Sequence, residues 1–173
     1  VLGRQLWEGE DGAAGELGHM MVEAQGRPCG CGSRGCLEQY ASASGIVLSV
    51  REHLAAGEAS VLATLSEAEL TSHSVALAAR DGDAVSLAAL EEAGVRLGQV
   101  LAGVVNLRNL DAVVITGGAS ESLDLMRPAL EAEIRLRTFS VPAARLRIVR
   151  GELGDDAGIL GAARIAWERL TSQ

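Results

Sequence analysis

The chain has 173 residues, 48% of them hydrophobic, and its 23 acidic residues outnumber its 15 basic residues, for a formal net charge of -8. A negative field of this kind repels phosphodiester backbones and argues against a nucleic-acid surface on this segment. No apolar run approaches the ~20 residues that a membrane span needs, and no secretory signal opens the chain, so we expect a soluble domain with no membrane partner.

The first residues alternate between apolar and polar side chains, which predicts a half-buried strand over residues 1–8. A turn follows at residues 9–12, and residues 20–22 are predicted to form a second short strand. The first residue is Val rather than Met, and the opening is typical of the end of a strand or hairpin. We therefore expect the chain to be the C-terminal part of a longer protein.

All three cysteines and one histidine lie between residues 19 and 36: His19, Cys29, Cys31 and Cys36. Three thiolates and one imidazole complete the tetrahedral ligand set that structural zinc prefers, with no open position for water; a catalytic zinc is the alternative. The residues also permit three buried thiols beside an unrelated histidine. A disulfide fits less well, because the cysteine count is odd and a pair one residue apart strains the bridge. Thiolates used in this way indicate a reducing cytoplasm.

The middle of the chain shows helical periodicity. A helix is predicted to begin at Leu37 and to stop near Gly57. The capping-box pair Ser66 and Glu69 predicts a second helix start at residue 66.

A long helix is predicted after the turn at residues 81–83, ending near Asn106 and apolar on most sides from Ala93 onward. The sequence places three glycines along it, where the backbone can approach a neighbouring element closely: Gly94, Gly98 and Gly103.

Residues 111–116 form a short β-branched run that predicts a buried strand, followed at once by Gly117 and Gly118. A helix, a second strand at residues 146–149 and a closing helix come next. Strands that alternate with helices predict an α/β sheet with helices on its faces. With only 2% aromatic residues, the core is expected to consist of Ala, Leu, Val and Ile. The closing helix is expected to use four apolar residues: Leu160, Ala163, Trp167 and Leu170.

Two motifs resemble the signature of the ROK family of bacterial sugar kinases, repressors and uncharacterised relatives. They are Gly15-Glu16-Leu17-Gly18-His19 and the pattern Cys-x-Cys-Gly-x-x-Gly-Cys-Leu-Glu from Cys29 to Glu38. The sequence from Glu38 onward resembles that of the glucokinases more than that of the repressors. The resemblance implies an actin-like (ribonuclease-H-like) fold, in which residues 1–173 supply the C-terminal lobe: a sheet with helices on both faces and a zinc loop within residues 19–36.

The resemblance also implies roles for particular residues. Glu16 and Glu38 match positions that bind sugar hydroxyls, a task that suits carboxylates. His19 matches a residue that holds zinc with one ring nitrogen and reaches the sugar with the other. Gly117 and Gly118 match glycines that hold ATP, the co-substrate with Mg²⁺, where a strand ends.

ROK kinases carry their aspartate base and a glycine-rich phosphate turn in the N-terminal lobe, and no stretch here matches either element. We therefore expect the chain alone to be inactive. The complete protein is expected to phosphorylate a hexose with ATP, converting glucose to glucose 6-phosphate in glycolysis, as a cytoplasmic homodimer. Two alternatives are a sugar-sensing ROK repressor with an N-terminal winged helix and a zinc-stabilised interaction domain without a sugar site.

Overall fold

The computed structural model describes residue 1 and residues 5–171, which form seven α-helices and two β-strands. The helices are α1 (Glu38–Ala41), α2 (Ala43–Ala55), α3 (Ser72–Arg80), α4 (Ala84–Arg108), α5 (Leu123–Arg137), α6 (Ser140–Arg145) and α7 (Ala157–Thr171). The strands are β1 (Ala112–Ile115) and β2 (Arg147–Arg150), and short 3₁₀ turns cover Leu17–His19, Val61–Thr64, Gly118–Ser122 and Gly154–Asp156. Within the described residues no helix is both long enough and apolar enough to span a membrane.

Helix α4 is the centre of the core. Its first half packs with α2 and α3 around an aliphatic cluster that includes Ile46, Val75 and Leu90. Its second half packs with α5 and the sheet around Leu130 and Ile148. The aliphatic core predicted from the composition is confirmed, and Tyr40 is the buried aromatic residue, at 4% exposure.

The predicted close approach along α4 is made against α5. A Cβ at Gly94 would lie 2.5 Å from the carbonyl oxygen of Met126, and one at Gly98 would lie 2.8 Å from that of Leu130. A Cβ at Gly103 would meet nothing within 4 Å, so this glycine does not serve the same purpose.

The two strands are parallel, with Val113 opposite Ile148 and Val114 opposite Val149. Val113 and Ile115 pack on the second cluster, whereas Val114 is 58% exposed. Because side chains alternate across a strand, helices cover one face of this two-stranded sheet. No residue of β1 is fully buried, so the prediction of a buried strand is wrong, and among the described residues the core packs on one face of the sheet rather than on both.

Two helix predictions need correction. The helix predicted from Leu37 to Gly57 breaks at Ser42, whose backbone is extended and whose hydroxyl caps α2 by accepting from Gly45 N–H. The helix predicted from Ser66 begins instead at Ser72, because Thr71 and Ser74 form the capping box. Ser66 and Glu69 do bond to each other, but within a turn.

The strand predictions near the start of the chain are not met as continuous strands, although Gln5 forms an isolated β-bridge. Residues 2–4 lie outside the described residues. Residues 6–9 carry no strand, and the Glu8 carbonyl accepts from Ala14 N–H to close a loop. Residues 20–22 form a single bridge, Met21 to Cys36, rather than a strand.

The closing helix α7 is present, but none of its described residues is buried. Trp167 is 64% exposed and Leu170 is 75% exposed. Its predicted apolar face therefore covers no core among the described residues.

Candidate functional site

The loop that carries the cysteines folds back on itself through two isolated antiparallel bridges, Met21 to Cys36 and Pro28 to Arg34. Gly35 makes the return possible. Its φ is +67°, and a Cβ there would overlap the carbonyl oxygen of Glu23. Glycine alone adopts such a backbone without strain, so this residue brings Cys36 back to the start of the loop.

The four predicted metal ligands meet at one point. Their ligand atoms all lie within 4.8 Å of one another. The sulfurs of Cys31 and Cys36 are 3.7 Å apart, and His19 Nδ1 is 3.6 Å from the Cys29 sulfur. A tetrahedral ion with bonds of about 2.3 Å to sulfur requires ligand separations of about 3.8 Å. The cluster therefore has the size and the donor types of a tetrahedral site.

The thiols of this cluster differ in acidity. A hydrogen bond from the Cys31 backbone lowers the pKa of Cys29 to about 7. Burial, reinforced by the neighbouring thiols, raises the pKa of Cys36 to about 12. Thiolate is the form that binds metal, so a cation in the cluster would displace the proton of Cys36 and offset the repulsion among the sulfurs.

The histidine at this cluster faces a carboxylate on each side. Its Nδ1 points to the sulfurs and lies 3.7 Å from Glu38 Oε2, and its Nε2 lies 3.8 Å from Glu16 Oε2. All three side chains remain accessible, with exposures of 39% for His19, 49% for Glu38 and 70% for Glu16. The structure thus brings together the three residues predicted to bind sugar. The Nδ1 atom of His19 is directed to the sulfurs, and its Nε2 atom is directed to Glu16.

A cavity of about 370 Å³ is lined by one member of this group, Glu38, and by Gly118 of the glycine turn. Glu38 and the N-terminal residues of α2 line one side of it, and Thr116 and Gly118 line the other. Gly117 has a φ of +78°, the left-handed region that favours glycine, and lies just before the 3₁₀ turn Gly118–Ser122. That turn separates the glycines from α5, so they do not open this helix directly as the sequence pattern suggested. Glu16 and His19 are not among the lining residues of the cavity.

Sequence reasoning missed several residues around the site. Thr116 and Ser42 line the cavity, and Arg27 and Arg96 lie over the ring of Tyr40 behind the metal cluster. The arginines carried no usable signal, because an isolated arginine is normally solvated. Only the strand end before Gly117 pointed toward Thr116.

A protein-family model described as ROK family matches residues 1–169. The chain belongs to the ROK family. It is 34% identical over 167 residues to the glucokinase of Thermotoga maritima, a match that covers 95% of this chain and 53% of the glucokinase. It is 32% identical over 158 residues to the DNA-binding transcriptional dual regulator NagC of Escherichia coli, covering 91% of this chain and 38% of the regulator.

Among solved structures, the chain is similar to a ROK family glucokinase from Streptomyces griseus in complex with glucose and AMPPNP. The TM-score is 0.79 at 30% identity, with coverage of 95% of this chain and 55% of the glucokinase. This ROK chain is thus an α/β domain that spans about half the length of the glucokinases it matches.

Proposed function

We propose that the protein containing this chain is a ROK sugar kinase that transfers the γ-phosphoryl group of ATP to a hexose, with glucose as the first candidate. The observation that carries the proposal is the convergence of Glu16, His19 and Glu38 beside a metal-type cluster. In this proposal, residues 1–173 are the C-terminal lobe, and the catalytic base belongs to the other lobe.

Each residue of this group has a definite task in the proposal. The carboxylates of Glu16 and Glu38 accept hydrogen bonds from sugar hydroxyls, and a hydrogen bond to an ionised acceptor is about twice as strong as one between neutral groups. His19 offers Nε2 to a further hydroxyl, while Nδ1 binds the metal. A bound metal fixes the tautomer and the orientation of the ring, so Nε2 keeps one role.

Zinc is the metal that we propose for the cluster. The donor set of three sulfurs and one imidazole nitrogen suits zinc, and the ligand separations fit its tetrahedral geometry. Because four protein ligands fill the site, its proposed task is to hold the loop that carries His19 next to Glu38.

We place the nucleotide at the glycine turn, next to the cavity that Glu38 also lines. At Gly117 and Gly118 no side chain blocks the approach of a ribose or a phosphate to the backbone. Phosphoryl transfer depends on alignment of the two substrates and on charge neutralisation by Mg²⁺. The cavity that Glu38 and Gly118 share supports the first of these requirements in the proposal.

The similarity to a DNA-binding regulator supports a second candidate, a ROK repressor that uses the same sugar site as a sensor. The residues from Glu38 onward are more similar to those of the glucokinases than to those of the repressors. For this reason the kinase is our first candidate. The cytoplasmic location and the homodimer remain predictions.

The test is sugar-dependent ATP turnover by the protein expressed from its complete gene, with several hexoses and with zinc quantified in the same sample. Glu38→Gln is expected to raise KM for the sugar about ten- to a hundredfold, since a hydrogen bond to a charged group contributes about 1.5–3 kcal/mol. Glu67→Gln is the matched control, because Glu67 is 86% exposed and pairs with Arg51 on the surface. Full zinc content and sugar binding without turnover would refute the kinase and favour the repressor.

A further inference from the structure

Arg27 carries a charge, yet its side chain is only 9% exposed. Its guanidinium makes a forked contact with Glu52 of α2, with Nε 3.0 Å from one carboxylate oxygen and Nη2 2.6 Å from the other. It also donates to the carbonyl of Gln39 in α1 and, over 2.9 Å, to the hydroxyl of Ser49. One side chain of the metal loop therefore binds two helices, through the strongest type of hydrogen bond that proteins use.

The same guanidinium stacks on Tyr40. Its central carbon lies 4.4 Å from the ring centroid, and that of Arg96, from α4, lies 5.3 Å from it. The backbone N–H of Arg27 donates to the Tyr40 hydroxyl over 3.0 Å. A Cβ at Gly26 would overlap that hydroxyl, so the loop backbone lies directly on the edge of the ring. The attraction between a cation and an aromatic face is stronger where less water competes, and Tyr40 is 4% exposed.

Arg96 holds the beginning of the loop from the other side. It donates to the carbonyl of Val22 over 3.1 Å and to the carboxylate of Glu23 over 3.0 Å. The carboxylate of Glu92 lies 3.8 Å from both guanidiniums. Paired charges of this kind avoid the penalty of a buried unpaired ion. The two guanidiniums are compensated by three carboxylates: Glu23, Glu52 and Glu92.

Arg27 and Tyr40 are each close in the chain to one part of the site, Arg27 to a metal ligand and Tyr40 to a sugar-binding carboxylate. Arg27 precedes Cys29 by two residues, and Tyr40 follows Glu38 by two residues. We propose that Arg27, acting through Tyr40, is a positioning residue that orients Cys29 toward the metal and Glu38 toward the sugar. The part of this inference that concerns Glu38 rests on the proposed function. The part that concerns Cys29 rests on the geometry around Arg27 and Tyr40.

Lysine cannot take the place of Arg27. Its ammonium group carries the same charge but cannot make the planar fork to Glu52 or stack on Tyr40 in the same way. Arg27→Lys therefore separates geometry from charge, and Arg27→Met removes both. Arg127 provides the controls, because it donates to the Ile148 carbonyl over 2.9 Å and pairs with Glu131, and it belongs neither to the lining of the cavity nor to the metal cluster.

The experiment compares the wild type with Arg27→Lys, Arg27→Met, Arg127→Lys and Arg127→Met in the protein expressed from its complete gene. Three quantities are measured: the rate of zinc release to an excess of a chelating dye, the kinetic constants for glucose, and the unfolding temperature. For Arg27→Lys we expect zinc release about tenfold faster and KM for glucose about tenfold higher, with a smaller change in kcat. The Arg127 variants are expected to lower the unfolding temperature without changing zinc release or KM.

A merely structural role predicts a different pattern. A destabilised enzyme loses active molecules, so kcat falls at unchanged KM and zinc release matches that of the Arg127 variants; that result overturns the inference. If Arg27→Met does not fold, Glu52→Gln is used instead: it replaces one of the two acceptor oxygens of the fork with an NH2 donor and removes the negative charge, at a 55% exposed residue, and it must reproduce the Arg27→Lys pattern. A wild type that holds zinc but phosphorylates no hexose refutes the kinase, whereas the zinc-release comparison still decides the role of Arg27.

Discussion

The packing of α4 on α5 makes a sharp prediction for Gly94→Ala. In a helix interior, alanine is more favourable than glycine by about 1 kcal/mol. Here the new methyl group would lie 2.5 Å from the Met126 carbonyl oxygen and 3.3 Å from the Ala129 methyl group. A backbone oxygen cannot turn away as a side chain can, so the two helices must separate. Overpacking costs about 1–3 kcal/mol, and separation at Met126, which is 1% exposed, places the cost at the upper end. We expect a net loss of about 1–2 kcal/mol.

Gly103→Ala is the matched control in the same helix. A Cβ there meets nothing within 4 Å, so only the gain in helix propensity remains, and the variant should be more stable by about 0.5–1 kcal/mol. The measurement is urea unfolding of both variants beside the wild type, followed by circular dichroism. If both substitutions shift the midpoint in the same direction, the close approach of α4 to α5 does not control stability and the reasoning is wrong.

Asp83→Ala should cost about 1 kcal/mol at neutral pH in thermal unfolding, because its carboxylate caps α4 by accepting from Ser86 N–H and also accepts from Val61 N–H. Although burial raises the pKa of Asp83, these hydrogen bonds outweigh it and leave the pKa below its ordinary value of 3.8. The difference in stability between the wild type and Asp83→Ala should therefore be complete above this pH and should vanish as the pH falls through the lower pKa of the folded state. A difference that persists in acid would contradict the cap. Ser42→Ala should cost about 0.5–2 kcal/mol in the same assay and, because it loosens the break before α2, should weaken sugar binding; unchanged stability would argue against the cap. Cys36→Ser should abolish stoichiometric zinc in elemental analysis, and zinc retained at the wild-type level would exclude Cys36 as a ligand.

The features that the sequence predicted well are those that depend on residues only a few positions apart in the chain. The turn predicted at residues 81–83 places the start of α4 correctly, and the helix ends at Arg108, two residues beyond the predicted end near Asn106. The strand before Gly117 follows from a β-branched run. Patterns failed where two local solutions competed, as at Ser66 and Thr71, which both offer a cap. The structure selects Thr71, and α3, which begins directly after it, buries Val75 and Ala76 in the first cluster.

The candidate site shows the same division. Ligand types and spacing were sufficient to group His19 with the cysteines, because a metal site is defined by its donor atoms. The family resemblance implied that one ring nitrogen faces the metal and the other the sugar, but only the structure shows that Nδ1 faces the sulfurs and Nε2 faces Glu16.

By itself, the sequence determined the donor set of the cluster, the α/β character and the aliphatic core, all of which depend on residue type and on near neighbours in the chain. The tertiary structure decided that Glu38 and Gly118 share a cavity, that Arg27 and Arg96 meet over Tyr40, and that Val114 is exposed on the sheet. These features require backbone segments far apart in sequence to approach within a few ångströms. Contacts of that kind depend on how whole elements pack, and no local pattern of residues specifies them.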